Sequence, residues 1–325
     1  MSEIALAGPP SRPAARYWLL LFFLAVIWGA SFMAGKVGLT GFGPVTLAAV
    51  RISIAAATLT AVAWAIGLKF PAWSAPRGPR VWAHVLGMAL FTNAIPFTLL
   101  AWGQLRVTSG FAGITMAVVP LLVLPLAHCL VPGETMNRWK ATGFAVGFVG
   151  TVVLVGGGAL GSAGSDLEGL ARLACVGAAC CYALGSIITR LCPPVLTLVF
   201  AAAGLCVAAI LSVPTALFIE GVPAAPGWTA FLAVLFLGLF PTALATVVLV
   251  SIIKGAGPSF LSLVNYQVPV LAIIFGVVFI GEPLPGQFLG ALGLILLGLM
   301  LSQLRGRAVH PDAAQTTRPD TSPVN

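Results

Sequence analysis

The chain has 325 residues, 59% of them hydrophobic and only 7% charged, with a formal net charge of +8 and a mean hydropathy of +1.07. A soluble domain carries about 25% charged residues, so a water-soluble globule is excluded and a polytopic membrane protein is indicated. The sixteen Lys and Arg are spread thinly over short connections and both tails, which is how charges that orient a membrane protein are distributed, not how a nucleic-acid surface is built.

A membrane-spanning helix needs roughly 20 apolar residues, and runs of that kind predict ten helices. They cover 17–36, 44–67, 82–104, 108–131, 138–157, 169–190, 195–219, 228–250, 258–280 and 286–304. The breaks between them are short and carry Gly, Pro or charge, as in "KVGLTGFGP", "VPGETMNRWK" and "GEPLPG". Residues 1–16 and 305–325 are polar, Pro-rich tails that read as disordered. With the N-terminus placed in the cytoplasm, the inner side collects Arg12, Arg16, Lys69, Arg77, Arg80, Arg138, Lys140, Arg190, Lys254, Arg305, Arg307 and Arg318. The outer side keeps only Lys36, Arg106 and Arg172. The positive-inside bias therefore puts both termini in the cytoplasm. The first apolar run continues to spanning length with no A-x-A site at a cleavable distance, so it reads as a helix and not as a cleaved signal. The six cysteines lie in or beside apolar runs without metal-ligand spacing.

The chain repeats itself. "AVVPLLVLPLAHCLVPGE" at 117–134 and "YQVPVLAIIFGVVFIGE" at 266–282 both place a proline early in an apolar run and close it with Gly-Glu. When Glu134 is aligned with Glu282, Pro120 falls within one residue of Pro269. Upstream, "AVIWGASFMAGK" (25–36) resembles "ACCYALGSIITR" (179–190), matching Trp28 with Tyr182 and Lys36 with Arg190. Two five-helix units follow, 17–157 and 169–304. Because five is odd, the second crosses the membrane inverted. Inverted repeats are a recurrent build of secondary transporters, with the substrate site between the halves near the midplane.

The segments "VIWGASFMAGKVGL" and "TLAAVRISIAAATL", the two "VP…GE" endings, and the closing "GALGLILLGLML" resemble the EamA family of the drug/metabolite transporter superfamily over nearly all of 17–304. The resemblance implies a ten-helix inner-membrane carrier for small metabolites. It leaves the substrate open, and the second unit lacks a counterpart of Arg51.

Candidate site residues fall into two groups. Polar and aromatic residues deep in the helices predict a shared cavity: Trp28, Ser31, Asn93, Trp102, Tyr182, Ser186, Thr242, Thr246, Asn265 and Tyr266. Spacings of three or four put Trp28 with Ser31, Tyr182 with Ser186, and Thr242 with Thr246 on common helix faces. Buried polar groups in hydrocarbon need partners, so interhelical bonding competes with substrate binding as the reading of each. The second group is charged: Lys36, Arg51, Glu134, Arg190 and Glu282. Glu134 and Glu282 are expected to orient the start of the following helix through its dipole, with a gate contact to a neighbouring base as the alternative. Lys36 and Arg190 read as interface anchors or charged rims. Arg51 either snorkels to the outer interface or attracts an anionic substrate group. Pro96, Pro120, Pro241 and Pro269 are expected to bend their helices. Gly143 with Gly147, and Gly286 with Gly290, form G-x-x-x-G packing motifs, within one chain or between two in a homodimer.

The chain has no G-x-x-x-x-G-K loop for nucleotide binding. The function expected is secondary transport of amino-acid-like or amphipathic metabolites, as efflux across the inner membrane, without cofactor, metal or nucleic acid. An integral-membrane enzyme acting on a lipid or small amphipathic substrate is the rival. It would need an acid–base pair, for which His84 and His128 are the best candidates, and neither has an Asp nearby in sequence.

Overall fold

The computed structural model describes residues 14–156, 167–256 and 258–304, without the side chains of residues 253–255, 258 and 259. Of the tails expected to be disordered, 1–16 and 305–325, residues 1–13 and 305–325 lie outside the described residues, as do the orientation charges Arg12, Arg305, Arg307 and Arg318 and the Lys254 side chain; Ala15 and Arg16 instead begin the first helix. The described chain is helical throughout. Among the described residues nine helices are long and apolar enough to cross a bilayer: α1 Ala15–Gly38, α2 Pro44–Ala65, α3 Gly78–Gln104, α4 Ser109–Leu130, α5 Arg138–Val155, α6 Leu167–Leu191, α7 Thr197–Glu220, α8 Trp228–Ile252 and α10 Gly286–Gln303. Between the last two runs the shorter apolar helix α9, Val264–Ile280.

Local chemistry sets the ends. Pro44 opens α2, where a missing N–H costs nothing. Thr108 caps α4 by accepting from Phe111 N, and Asn137 caps α5 by accepting from Lys140 N. Gly281 ends α9 in the left-handed conformation, φ 67°, which glycine adopts without steric cost.

Two helices are interrupted at matched places. α3 is π-helical over Ala89–Ala94 and α8 over Leu239–Leu244. The expected mid-helix prolines accompany both: Pro96 stands two residues after the first interruption and Pro241 lies within the second. Pro241 has no N–H to give the carbonyl of Leu237, and the Thr242 hydroxyl takes its place, donating to Leu237 O at 2.8 Å. α4 is broken by a turn at Ala117–Val118, just before Pro120. The expected continuous helix over 258–280 is also broken: a single turn, Pro258–Leu261, precedes α9, with Ser262 and Leu263 between them.

The packing obeys the repeat. α2 packs on α7 and α5 on α10; α1 packs on α8 and α9, and α6 on α3 and α4. Exchanging α1–α5 with α6–α10 maps this set of pairs onto itself, which is the signature of two interlocked inverted halves. The first glycine motif serves the α5–α10 pair. A side chain at Gly143 or Gly147 would collide with Gly298, Ser302 or Leu121, whereas Gly286 and Gly290 have nothing within 4 Å. The largest buried cluster gathers α1, α4, α9 and α10 around Phe111, Leu24, Leu121 and Ile295.

Candidate functional site

One line of contacts crosses the centre of the bundle and joins the two halves. Arg51, eighth residue of α2, turns inward instead of snorkelling. Its Nε donates to Thr242 Oγ1 at 2.9 Å, and Thr242 sits midway along α8 in the π-helical segment. The guanidinium carbon lies 3.9 Å from the centre of the Phe97 ring, a cation–π geometry. Phe97 meets Tyr182 of α6 edge-on, with ring centres 6.4 Å apart. Tyr182 is within electrostatic reach of Arg51. On the other side of Thr242, Trp28 Nε1 donates to Pro241 O at 3.1 Å. Thus α1, α2 and α3 of the first half contribute Trp28, Arg51 and Phe97, and α6 and α8 of the second contribute Tyr182 and Thr242. The symmetry stops at the cation. The eighth residue of α7 is Gly204, where a Cβ would lie 3.1 Å from the Met88 sulfur.

The remaining deep candidates are engaged nearby or elsewhere. Ser31 donates to Trp28 O at 2.6 Å, and Thr246 donates to Thr242 O at 2.8 Å. Asn93 is buried and donates to Met88 O at 3.2 Å, holding the π-helical turn of α3. Ser186 donates to Tyr182 O at 2.8 Å from an exposed position. Trp102 and Tyr266 pack against the main core. Asn265 differs from expectation. Because the helix breaks at Ser262–Leu263, it lies in the first turn of α9 and not mid-helix, and its amide donates to Ser262 O at 3.1 Å. Asn265→Leu is therefore expected to lower the melting temperature, by the loss of a hydrogen bond with a net contribution of about 1 kcal/mol. Ligand affinity should stay unchanged; both are measurable on one detergent-purified preparation.

The charged candidates other than Arg51 cluster at two opposite ends. At one, the Glu282 carboxylate accepts from Ser109 N at 2.9 and 2.8 Å and from Ser109 Oγ at 2.5 Å. It thus caps α4, 173 residues away in sequence, and not the following helix α10 as expected. Gly281 makes this reach feasible by turning the chain at the end of α9. Lys36 lies within electrostatic reach of Glu282, and its Nζ donates to Gln104 O at 2.5 Å and Val107 O at 2.9 Å, completing the C-terminus of α3. At the other end, Glu134 pairs with Arg190 at 2.5 Å and Lys140 at 3.4 Å. Asn137, not Glu134, caps the following helix. The hydrogen bond from Arg190, then that from Lys140, holds the Glu134 carboxyl below the usual carboxylate range. His84 donates Nδ1–H to Arg80 O, and His128 lies against the backbone of Glu134 and Met136; these are local contacts at helix ends.

Four participants were missing from the sequence reading. Phe97 follows Pro96 and stands one turn after Asn93, which could have marked it. Ser109 and Gln104 flank the α3–α4 connection; Gln104 is buried and donates to Phe32 O at 2.8 Å. Glu220 ends α7 and accepts from Val45 N at 3.0 Å and Thr46 N at 2.8 Å, capping α2 across the interface of the halves.

Comparison with known proteins agrees with this architecture. A model of the "EamA-like transporter family" matches twice, over residues 16–156 and 169–304. The "Uncharacterized inner membrane transporter YedA" of Escherichia coli K12 is 28% identical over 305 residues, covering 94% of each chain. The "Probable terminal-alkyne amino-acid exporter" of Streptantibioticus cattleyicolor is 32% identical over 146 residues, 43% of this chain and 45% of its own. A solved crystal structure superposes with a TM-score of 0.61 at 26% identity, covering 90% of this chain and 98% of that one. With both halves matched in order, the chain belongs to the EamA-like transporter family and is a multi-pass membrane transporter.

Proposed function

We propose that this transporter is a secondary carrier that exports small amino-acid-like or amphipathic metabolites across the inner membrane by alternating access. In this reading both termini and the 69–80 connection face the cytoplasm. The observation that carries it is the central line of contacts, Trp28 to Pro241 and Arg51 to Thr242, in which each half supplies part of one polar, aromatic site. Such a site changes its exposure when the halves rock against each other. The aromatic faces suit an apolar ligand body, and the hydroxyl and guanidinium suit its polar end. The exporter relative supports an amino-acid-like cargo and the outward direction.

The test is flux. Purified protein in liposomes loaded with labelled L-phenylalanine is expected to release it faster than empty liposomes, with the compound chemically unchanged. Covalent conversion without flux would favour the membrane-enzyme reading instead. Labelling of single cysteines placed in the 69–80 connection of intact cells checks the orientation; reaction with an impermeant reagent from outside would reverse it.

A further inference from the structure

We propose that Arg51 is the receptor for a carboxylate of the transported molecule, and that this site does not select for an ammonium group. The proposal rests on the carrier reading above and names what its central site recognises. Arg51 is a cation deep in the bundle whose charge no described residue neutralises. All eight acidic residues are Glu3, Glu134, Asp166, Glu168, Glu220, Glu282, Asp312 and Asp320. Of the described ones, none lies inside a membrane span beyond its terminal turn. Glu134, Glu168, Glu220 and Glu282 are already bound to Arg190, Arg172, the start of α2 and the start of α4.

A guanidinium has five N–H donors. Among the described residues Arg51 uses one, Nε to Thr242. Phe97 covers one face of the group, but a ring quadrupole is not a counterion. Thr242 fixes Nε, so the terminal nitrogens are presented as a fixed fork, the shape that binds a carboxylate through two parallel bonds. Neighbours leave part of the side chain's surface open. A charge inside a membrane-spanning helix is costly without a partner, and in a carrier the missing anion arrives with the cargo.

The rest of the site narrows the class. A phosphate dianion would call for further cations, but Lys36 and Arg190 are held at the two ends by their own partners. A monoanion is therefore the better match. Phe97, Tyr182 and Trp28 offer ring surface for an apolar or aromatic body. Among the described residues no carboxylate stands near to hold an α-ammonium. A des-amino acid should then compete on equal terms with the corresponding amino acid.

The experiment uses full-length protein in detergent and three probes with one phenyl body: L-phenylalanine, 3-phenylpropanoate and 2-phenylethylamine. Affinity is read by calorimetry and stability by thermal shift, with benzoate and indole-3-acetate to vary the body. Both carboxylates are expected to bind and stabilise the protein, and the amine is not. Arg51→Gln should weaken carboxylate binding at least tenfold. Arg51→Lys keeps the charge and loses the fork, and should also weaken it at least tenfold; it serves if the Gln variant fails to fold. The proposal is overturned if the amine binds as well as the carboxylates, if no carboxylate of the series gives an Arg51-dependent shift, or if chloride stabilises equally. Arg51-dependent carboxylate binding without flux in liposomes would remove the carrier reading and leave the receptor. Flux that survives Arg51→Gln unchanged would do the opposite.

Discussion

Gly298→Val is expected to prevent assembly of the ten-helix bundle. A Cβ at Gly298 would lie 2.5 Å from Gly143 O and 2.6 Å from Gly147 N. Both are backbone atoms of α5, so no rotamer change relieves the clash and the two helices must separate. Between membrane helices there is no hydrophobic force to hold a loosened pair, because lipid tails are as apolar as leucine; close van der Waals contact is what associates them. Overpacking a core costs about 1–3 kcal/mol where side chains can adjust, and here they cannot. Gly290→Val is the control. It lies one face round on the same helix with nothing within 4 Å, and the monomer should melt near the parent temperature. Size-exclusion profiles and melting curves of the two variants compare them directly. Equal behaviour would mean that α5 and α10 do not touch along this seam.

Gly143 shows how the sequence carries the fold. Its i+4 partner Gly147 is visible in the sequence, and so is the repeat that pairs α5 with α10. Spans, order and inversion were legible because bilayer thickness imposes a run length and because the chain states its plan twice. What it could not state was which partner a polar group finds. Glu282 looked like an orienting charge for the helix after it, since the dipole rule acts on neighbours in sequence. The carboxylate instead reaches Ser109, a pairing made by the fold alone. Asn265 looked central because the helix was read as continuous through Ser262. Arg51 was ambiguous for a different reason: two turns is within snorkelling reach, and only the position of Thr242 on a packed neighbour decides which way the side chain points. The cluster at the centre was partly legible, through Trp28, Tyr182 and Thr242, since aromatic and hydroxyl groups are conspicuous in hydrocarbon. Phe97 was not conspicuous, because one phenylalanine among nineteen carries no signal.

The two acidic ends are expected to differ sharply in strength. Glu282 accepts from both donors of Ser109, whose N–H is shared between the two carboxylate oxygens and which has no exposed surface, and stands near Lys36. Glu282→Ala leaves a buried N–H without an acceptor and a cation without its nearest anion. Hydrogen bonds to charged groups contribute roughly 1.5–3 kcal/mol, which corresponds to a shift of roughly ten- to a hundredfold toward states in which the ends of α4 and α9 part. Glu134 is only partly covered, and Arg190 is half exposed, so solvent screens that pair and its contribution is small. Its pH dependence has a definite sign. The folded-state carboxyl is depressed by Arg190 and Lys140, so the contribution is present above the unfolded glutamate pKa of about 4.3 and is lost as pH falls through the folded value. Near neutral pH the Glu134 contribution is fully present, and the comparison isolates burial. Hydrogen–deuterium exchange reads it: Glu282→Ala should raise exchange at 107–111 tenfold or more, while Glu134→Ala should leave 131–137 within a few fold of the parent. Equal increases at both ends would show that burial of Ser109 does not strengthen the first contact. If the asymmetry holds, opening at the Glu134–Arg190 end takes less free energy than opening at the Glu282–Ser109 end, and the resting population leans toward access from that side.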